Sequence, residues 1–303
     1  MLRTINFMGV RNLAFAMTML LTVLSLGSLY VKGLNWGLDF TGGTLIELTY
    51  EKPADLNLVR TQLKSAGYED AVVQSFGAST DVLVRMPGDD PQLGNRIAAA
   101  LLLADASNPA EVKRAEFVGP QVGEELRDQG GIGMLLALGG VMLYLAFRFQ
   151  WKFAVGAIAS LVHDVIVTMG FLSLFQITFD LTVLAAILAM IGYSLNDTIV
   201  VFDRVRENFR VLRKASLIEN INISTTQTLL RTVATSVSTL LAIAALLMFG
   251  GDSLYGFSLA LFVGVLAGTY SSIYIANVAL IWLNLSAEDL MPPVAVEAAD
   301  ERP

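Results

Sequence analysis

Six stretches of this chain are apolar for long enough to cross a lipid bilayer, and no other feature restricts its fold as much. A hydrocarbon core of ~30 Å takes about 20 apolar residues in a helix. Runs near 13–31, 131–149, 153–175, 181–202, 231–249 and 257–284 meet that length. The chain has 303 residues, 54% of them hydrophobic, with mean hydropathy +0.61, and the excess lies in these runs. That is the pattern of transmembrane helices. The first run, "LAFAMTMLLTVLSLGSLYV", exceeds the roughly 7–15 residues of a signal-peptide core, and no A-x-A cleavage site follows. It is read as a retained helix.

Between the first two runs lies a polar segment, 32–128, with nine Lys and Arg against fifteen Asp and Glu. It reads as a compact domain. "TLIELTY" (44–50) alternates, with Ile46, Leu48 and Tyr50 on one side. "DLNLVRTQLKSAG" (55–67) has helical spacing, with Asp55 as cap and Gly67 as stop. "AVVQSF" (71–76) and "DVLVRM" (81–86) are strand-like around "GAST", a hairpin signal. "DDPQLGNRIAAALLLAD" (89–105) predicts a helix with Asp90 as cap and Pro91 at its first position. "EVKRAEFV" (111–118) completes the order β-α-β-β-α-β, a ferredoxin-like arrangement.

Lys and Arg set the orientation. Arg3 and Arg11 precede the first run, Arg148 and Lys152 separate the second from the third, and Arg204, Arg206, Arg210, Arg213 and Lys214 separate the fourth from the fifth. The connections near 176–180 and 250–256 hold neither residue type. The positive-inside rule places the basic connections and both termini in the cytoplasm, and the 32–128 domain outside. The acidic, Pro- and Ala-containing tail, 286–303, reads as disordered. The expected division is 1–31 (N-terminus and first helix), 32–128 (outer domain), 129–285 (five helices) and 286–303 (tail).

Composition excludes several chemistries. Without cysteine there is no disulfide framework or thiolate metal site, and one histidine leaves no His cluster. The formal net charge of -7 argues against nucleic acid. No Ser/His/Asp arrangement is persuasive when the histidine lies in a membrane run. "DFTGG" lacks the GK[ST] of a phosphate loop.

What remains is charge inside the membrane runs. His163 and Asp164 lie in the third, Asp197 in the fourth, and Arg231 opens the fifth. An ionisable group in hydrocarbon costs at least ~2.5–3.5 kcal/mol, so such residues face a bundle interior or a wet cavity and are functional by default. Asp197 precedes Phe202, the end of its run, by five residues, about 8 Å into the hydrocarbon. Arg231 is expected at similar depth if the two helices are neighbours. Asn196 and Thr198 flank Asp197, and Tyr193 shares its face at i−4. Two readings stand: a structural ion pair, or a proton site whose arginine and burial pull the carboxylate in opposite directions. Adjacent helical residues point about 100° apart, so His163 and Asp164 are free to take different partners. Either is a proton relay or a packing residue. "GVLAG" (264–268) and the glycines of "GGIG" and "GG" in the second run predict close helix packing.

Four stretches carry a resemblance: "NWGLDFTGGTLIEL" after the first helix, "VGPQVGEEL" (118–126) before the second, "GYSLNDTIVVFDRVREN" in the fourth, and "TTQTLLRTVATS" in the fifth. In that order they span most of the chain, and they resemble the SecF half of the SecD/SecF family of protein-export membrane subunits. The resemblance implies a six-helix bundle related to the resistance-nodulation-division exporters, with one ferredoxin-like exoplasmic domain. It implies a place in the bacterial inner membrane, with SecD, the SecYEG channel, exported unfolded polypeptide and lipid as partners. The implied role is an accessory subunit, not an enzyme. It needs no cofactor and uses the proton gradient to promote late steps of export. Asp197 and Arg231 fall on the positions tied to proton conduction. Asp39, Phe40, Thr41, Gly42 and Gly43, with Gly119 and Pro120, are implied to shape the junction of first helix and outer domain. Two other roles remain open to the residues: a stand-alone proton-coupled exporter of small molecules, and a non-conducting assembly factor.

Overall fold

The computed structural model describes residues 4–76, 78–104, 108–212, 214–286 and 288–290. Arg3, Arg213 and the tail from 291 onward lie outside them. Six helical segments of the described residues are long and apolar enough to cross a membrane. They are α1 (Arg11–Val31), α5 (Pro120–Arg148), α6 (Trp151–Leu174), α7 (Leu181–Val211), α8 (Leu217–Phe249) and the pair α9 (Asp252–Ile273) and α10 (Ile275–Trp282), which is interrupted at Tyr274.

Three helices outrun their apolar stretches, each for a local reason. α5 begins at Pro120, whose fixed φ suits a first helical position, eleven residues before the expected 131. α8 begins at Leu217 rather than 231. Ser216 accepts from the Glu219 amide at 3.3 Å, an S-x-x-E start, and the polar turns that follow are buried rather than solvated. Asn208 near the end of α7 donates to Ser224 at 2.8 Å and to Gln227 at 3.0 Å, and Asn220 donates to the Val205 carbonyl at 3.3 Å. α7 and α8 therefore continue as a polar-bonded hairpin beyond the hydrocarbon.

Between α1 and α5 the chain forms β1 (Asn35–Trp36), α2 (Leu38–Thr41), β2 (Gly43–Tyr50), α3 (Leu56–Ser65), β3 (Val72–Phe76), β4 (Ala78–Met86), α4 (Leu93–Ala104) and β5 (Ala110–Val118). The four longer strands make an antiparallel sheet in the order β3-β4-β2-β5, a split β-α-β pairing. Ile46, Leu48, Val82, Val84, Val59, Leu63 and Ile97 form its core under α3 and α4. Asp55 caps α3 as its sequence predicts. α4 starts later than expected. Asp90 accepts from Gln92 at 2.8 Å in a turn that includes Pro91, and the helix follows from Leu93.

A second, larger core fills the helix bundle, with Phe149, Phe153, Phe202, Ile187 and Met190 buried in it. α7 is its axis and packs against α5, α6, α8 and α9. Gly264 and Gly268 let α9 lie directly on α7: a Cβ on Gly268 would stand 2.9 Å from Ser194 Cβ, and one on Gly264 would overlap Met190. The glycines of the second run are mixed. A Cβ on Gly130 would stand 2.9 Å from Leu184, so it packs closely as expected, whereas Gly131, Gly133, Gly139 and Gly140 have nothing among the described residues within 4 Å of an added Cβ.

A parallel ribbon joins the sheet to the bundle. β1 pairs with β6 (Thr178–Phe179), the strand that leads into α7. Trp36, Phe40 and Phe179 cluster around it with ring centroids 5.4–5.8 Å apart. Arg85 of β4 donates to the Trp36 carbonyl at 3.0 Å and to Thr178 at 2.9 Å. Burial disfavours its charge, and Asp180 at the start of α7 partly offsets that.

Candidate functional site

Asp197 sits on α7 with 2% of its surface exposed, and its Oδ2 has no hydrogen-bond partner. Thr198 is buried beside it with an unpartnered hydroxyl. Tyr193, one turn back, reaches Ser236 of α8 at 3.5 Å, and Ser236 bonds Thr269 of α9 at 2.8 Å. Asn196 is turned the other way and is exposed, so the flanking amide does not belong to the buried site.

Arg231 is not at a helix start. It lies fourteen residues into α8, on an exposed position. Tyr193, one turn before Asp197 on α7, reaches Ser236 of α8 at 3.5 Å, and Arg231 lies five residues before Ser236 on that antiparallel helix, which puts Asp197 and Arg231 at similar depth. No ion pair within 4.0 Å joins Arg231 to Asp197. A carboxylate with a free oxygen and a cation near but out of contact can gain or lose a proton without breaking a bond first.

His163 and Asp164 do not go to separate partners. His163 Nδ1 lies 3.1 Å from Asp164 Oδ1, and Asp164 is fully buried. Its Oδ2 accepts from Ser194 of α7 at 2.5 Å and from Ser271 of α9 at 2.7 Å, and Ser160 donates to Ser271 at 2.8 Å. The serines had no signal in sequence beyond being hydroxyls within apolar runs. The adjacent pair closes on itself because both side chains are turned away from lipid and the carboxylate is held from two further helices.

The "DFTGG" segment is a joint. Asp39 on α2 accepts the Leu181 amide at 2.9 Å, so it caps the helix that carries Asp197, alongside the N-cap Asp180, which accepts from Val183 at 2.8 Å. Phe40 fills the aromatic cluster, and Thr41 bonds the Gly37 carbonyl at 3.1 Å. Gly42 and Gly43 have φ of 66° and 111°. A Cβ would stand 2.8 Å from Pro120 Cα at Gly42 and 2.6 Å from the Met86 carbonyl oxygen at Gly43. Gly119 is the N-cap of α5 and Pro120 its first residue.

A family profile described as "Protein export membrane protein SecD/SecF, C-terminal" matches residues 99–286, and one described as "SecD/SecF GG Motif" matches 27–54. The chain belongs to the SecD/SecF family. It is 76% identical over 300 residues to the protein translocase subunit SecF of Pseudomonas aeruginosa, covering 99% of this chain and 98% of that one. It is 45% identical to the SecF of Escherichia coli O157:H7, covering 98% and 93%. The crystal structure of SecDF, a translocon-associated membrane protein from Thermus thermophilus, superposes with a TM-score of 0.85 at 40% identity over 93% of this chain. The chain spans 39% of that SecDF polypeptide. The GG-motif match covers the joint built by Asp39, Gly42 and Gly43, and the C-terminal match covers all five membrane segments after the first.

Proposed function

We propose that this chain is a SecF-type accessory subunit of the protein translocase. It pairs with a SecD-type subunit in the inner membrane and uses the proton gradient, with no cofactor, to promote late steps of protein export. The observation that carries the proton part is Asp197: a membrane carboxylate 2% exposed, one oxygen unpartnered, at the depth of Arg231 but not paired with it. Arg231 and Asn196 support a partner. Both are exposed on this chain at membrane depth, where the charge of Arg231 uncovered costs at least ~2.5–3.5 kcal/mol and the Asn196 amide lacks a hydrogen-bond partner in lipid, so a second subunit has reason to cover them. The basic connections then lie in the cytoplasm with both termini, and the sheet domain lies outside. The channel SecYEG and the emerging unfolded chain are partners of the assembled complex. The work is a conformational cycle, not a covalent reaction.

In that cycle Asp197 takes a proton when burial dominates and releases it when Arg231 moves closer. One proton crossing 100 mV yields ~2.3 kcal/mol. The Asp39 cap ties the α7 helix to the base of the sheet domain, which gives the proton site a mechanical route outward. The test is export of a secreted substrate into membrane vesicles, with and without an imposed proton gradient. Wild type, Asp197→Asn and Arg231→Met are compared in complex with the SecD-type partner. Loss of gradient stimulation in both variants is expected. Full stimulation in both sinks the proton reading and leaves the non-conducting assembly role.

A further inference from the structure

We propose that His163 and Asp164 form a second proton-holding site, in series with Asp197, with the imidazole of His163 as the group that loads and unloads. This rests on the proton-coupled reading above and adds to it a site on a different helix.

Asp164 accepts from two serine hydroxyls on one oxygen and meets His163 Nδ1 on the other. His163 Nε2 is buried without a partner, so a proton on it would be unsatisfied, which favours the neutral tautomer with the proton on Nδ1 and a bare lone pair on Nε2. The pair lies twelve residues into α6, about 18 Å along it, so an ionised Asp164 would put a charge of -1 near the middle of that span. Among the described residues no Lys or Arg pairs with it. Arg148 of α5 is held by Asp203, and Lys152 of α6 by Asp289. From the other packed helices the pair is faced by Tyr270 of α9, 6.3 Å away between ring centroids, and by Tyr274 beyond it. α1 brings only the hydroxyls of Thr18 and Thr22 to the groove that His163 lines. α7 brings Ser194, with Asp197 three residues further along the same helix. The missing positive charge is one that can come and go, and a proton on Nε2 supplies it.

The step balances simply. A proton enters on Nε2, Nδ1–H stays with Asp164, and the pair passes from -1 to 0; unloading reverses this at the same nitrogen. The loaded Nε2–H has no acceptor in the present packing. His163 forms part of the wall of a groove of about 510 Å3 between α1, α6 and α10, whose hydroxyls are those of Thr18, Thr22 and Tyr274. Thr18 is engaged with Tyr270 at 3.1 Å. Loading therefore favours a packing in which α1 yields an acceptor to Nε2, and this couples the proton to the position of α1.

One histidine in 303 residues makes the test direct. The full chain, labelled with 15N-histidine and held in lipid nanodiscs, gives a single imidazole signal by NMR. Between about pH 9 and 5, the expected course runs from the neutral form with bare Nε2 to the doubly protonated ring. An imidazole fixed in one neutral form across the range overturns the proposal. In vesicles, His163→Gln should cut gradient-stimulated export about tenfold or more. Full stimulation with His163→Gln, where Asp197→Asn loses it, overturns this site alone. Full stimulation with both removes the proton reading and this site with it.

Discussion

Asp197 and Gly43 are costly residues for different reasons, and each predicts its own failure. The carboxylate is held in hydrocarbon with one oxygen unpartnered, a state a neutral amide would also satisfy sterically. Asp197→Asn should therefore leave the complex assembled and remove only its response to the gradient. Gly43 is costly because its backbone, at φ 111°, is closed to other residues and a side chain would strike the Met86 carbonyl. Gly43→Ala should lower stability by about 1–3 kcal/mol, read as a drop in the melting temperature of the purified complex. Gly67→Ala is the control at another positive φ, 88°, where nothing lies within 4 Å of the new Cβ, and it should cost less. Lone carboxylates in apolar runs were legible from sequence. The exposure of Asn196 and the closed bond between His163 and Asp164 were not, since both depend on which side of a helix faces another.

For the elements, the start of α7 and the segment after α10 carry the testable contacts. Asp39→Ala removes one of two carboxylates that serve the first turn of α7, at a cost of about 1 kcal/mol. Hydrogen exchange should quicken at Leu181, and Asp39→Asn should do so less, because an amide oxygen still accepts. After α10, Asp289 accepts from Lys152 of α6 at 2.6 Å and from the Ser286 amide at 2.8 Å. The lysine contact, first, and the backbone bond hold the Asp289 carboxyl below its ordinary range. A carboxyl depressed by folding stabilises the tether at pH above the unfolded value, ~3.9, and the contribution fades as pH falls through the lower folded value. Protease cleavage around 284–290 should rise on acidification, and Asp289→Asn should raise it at neutral pH and remove the dependence. Helix starts at Pro120 and Ser216 show the limit of hydropathy. They are set by capping and by buried polar contacts, and neither contributes to an apolar count.

At the scale of the whole molecule, the two cores are complete but the surface of the bundle is not. α5 and α8 are the least buried after the first helix, with 6% and 17% of their most apolar windows inside, against 56% for α7. Leu136 on α5 is 71% exposed and Leu241 on α8 67% exposed, and Arg231 and Asn196 are exposed as well. A partner bundle packed on α5 and α8 would cover Leu136 and Leu241. The chain lacks cysteine, so single cysteines can report on it. At Leu136 and Leu241, maleimide labelling in the membrane should slow when the SecD-type subunit is present. At Leu20 on α1, 59% exposed, the rate should hold. Equal rates with and without the partner at Leu136 and Leu241 would place the interface elsewhere.

The sequence by itself determined six membrane helices, a β-α-β-β-α-β domain after the first, and the few ionisable residues that hydrocarbon makes expensive. These follow from composition and period, which act locally along the chain. Tertiary structure decided which of those residues meet. It left Asp197 and Arg231 without an ion pair, closed Asp164 between His163 and two serines, and turned the "DFTGG" aspartate into a cap on the helix that carries Asp197. Those pairings depend on helix rotation and on the close approach that Gly264 and Gly268 allow, and such distances are properties of packing between segments far apart in the chain.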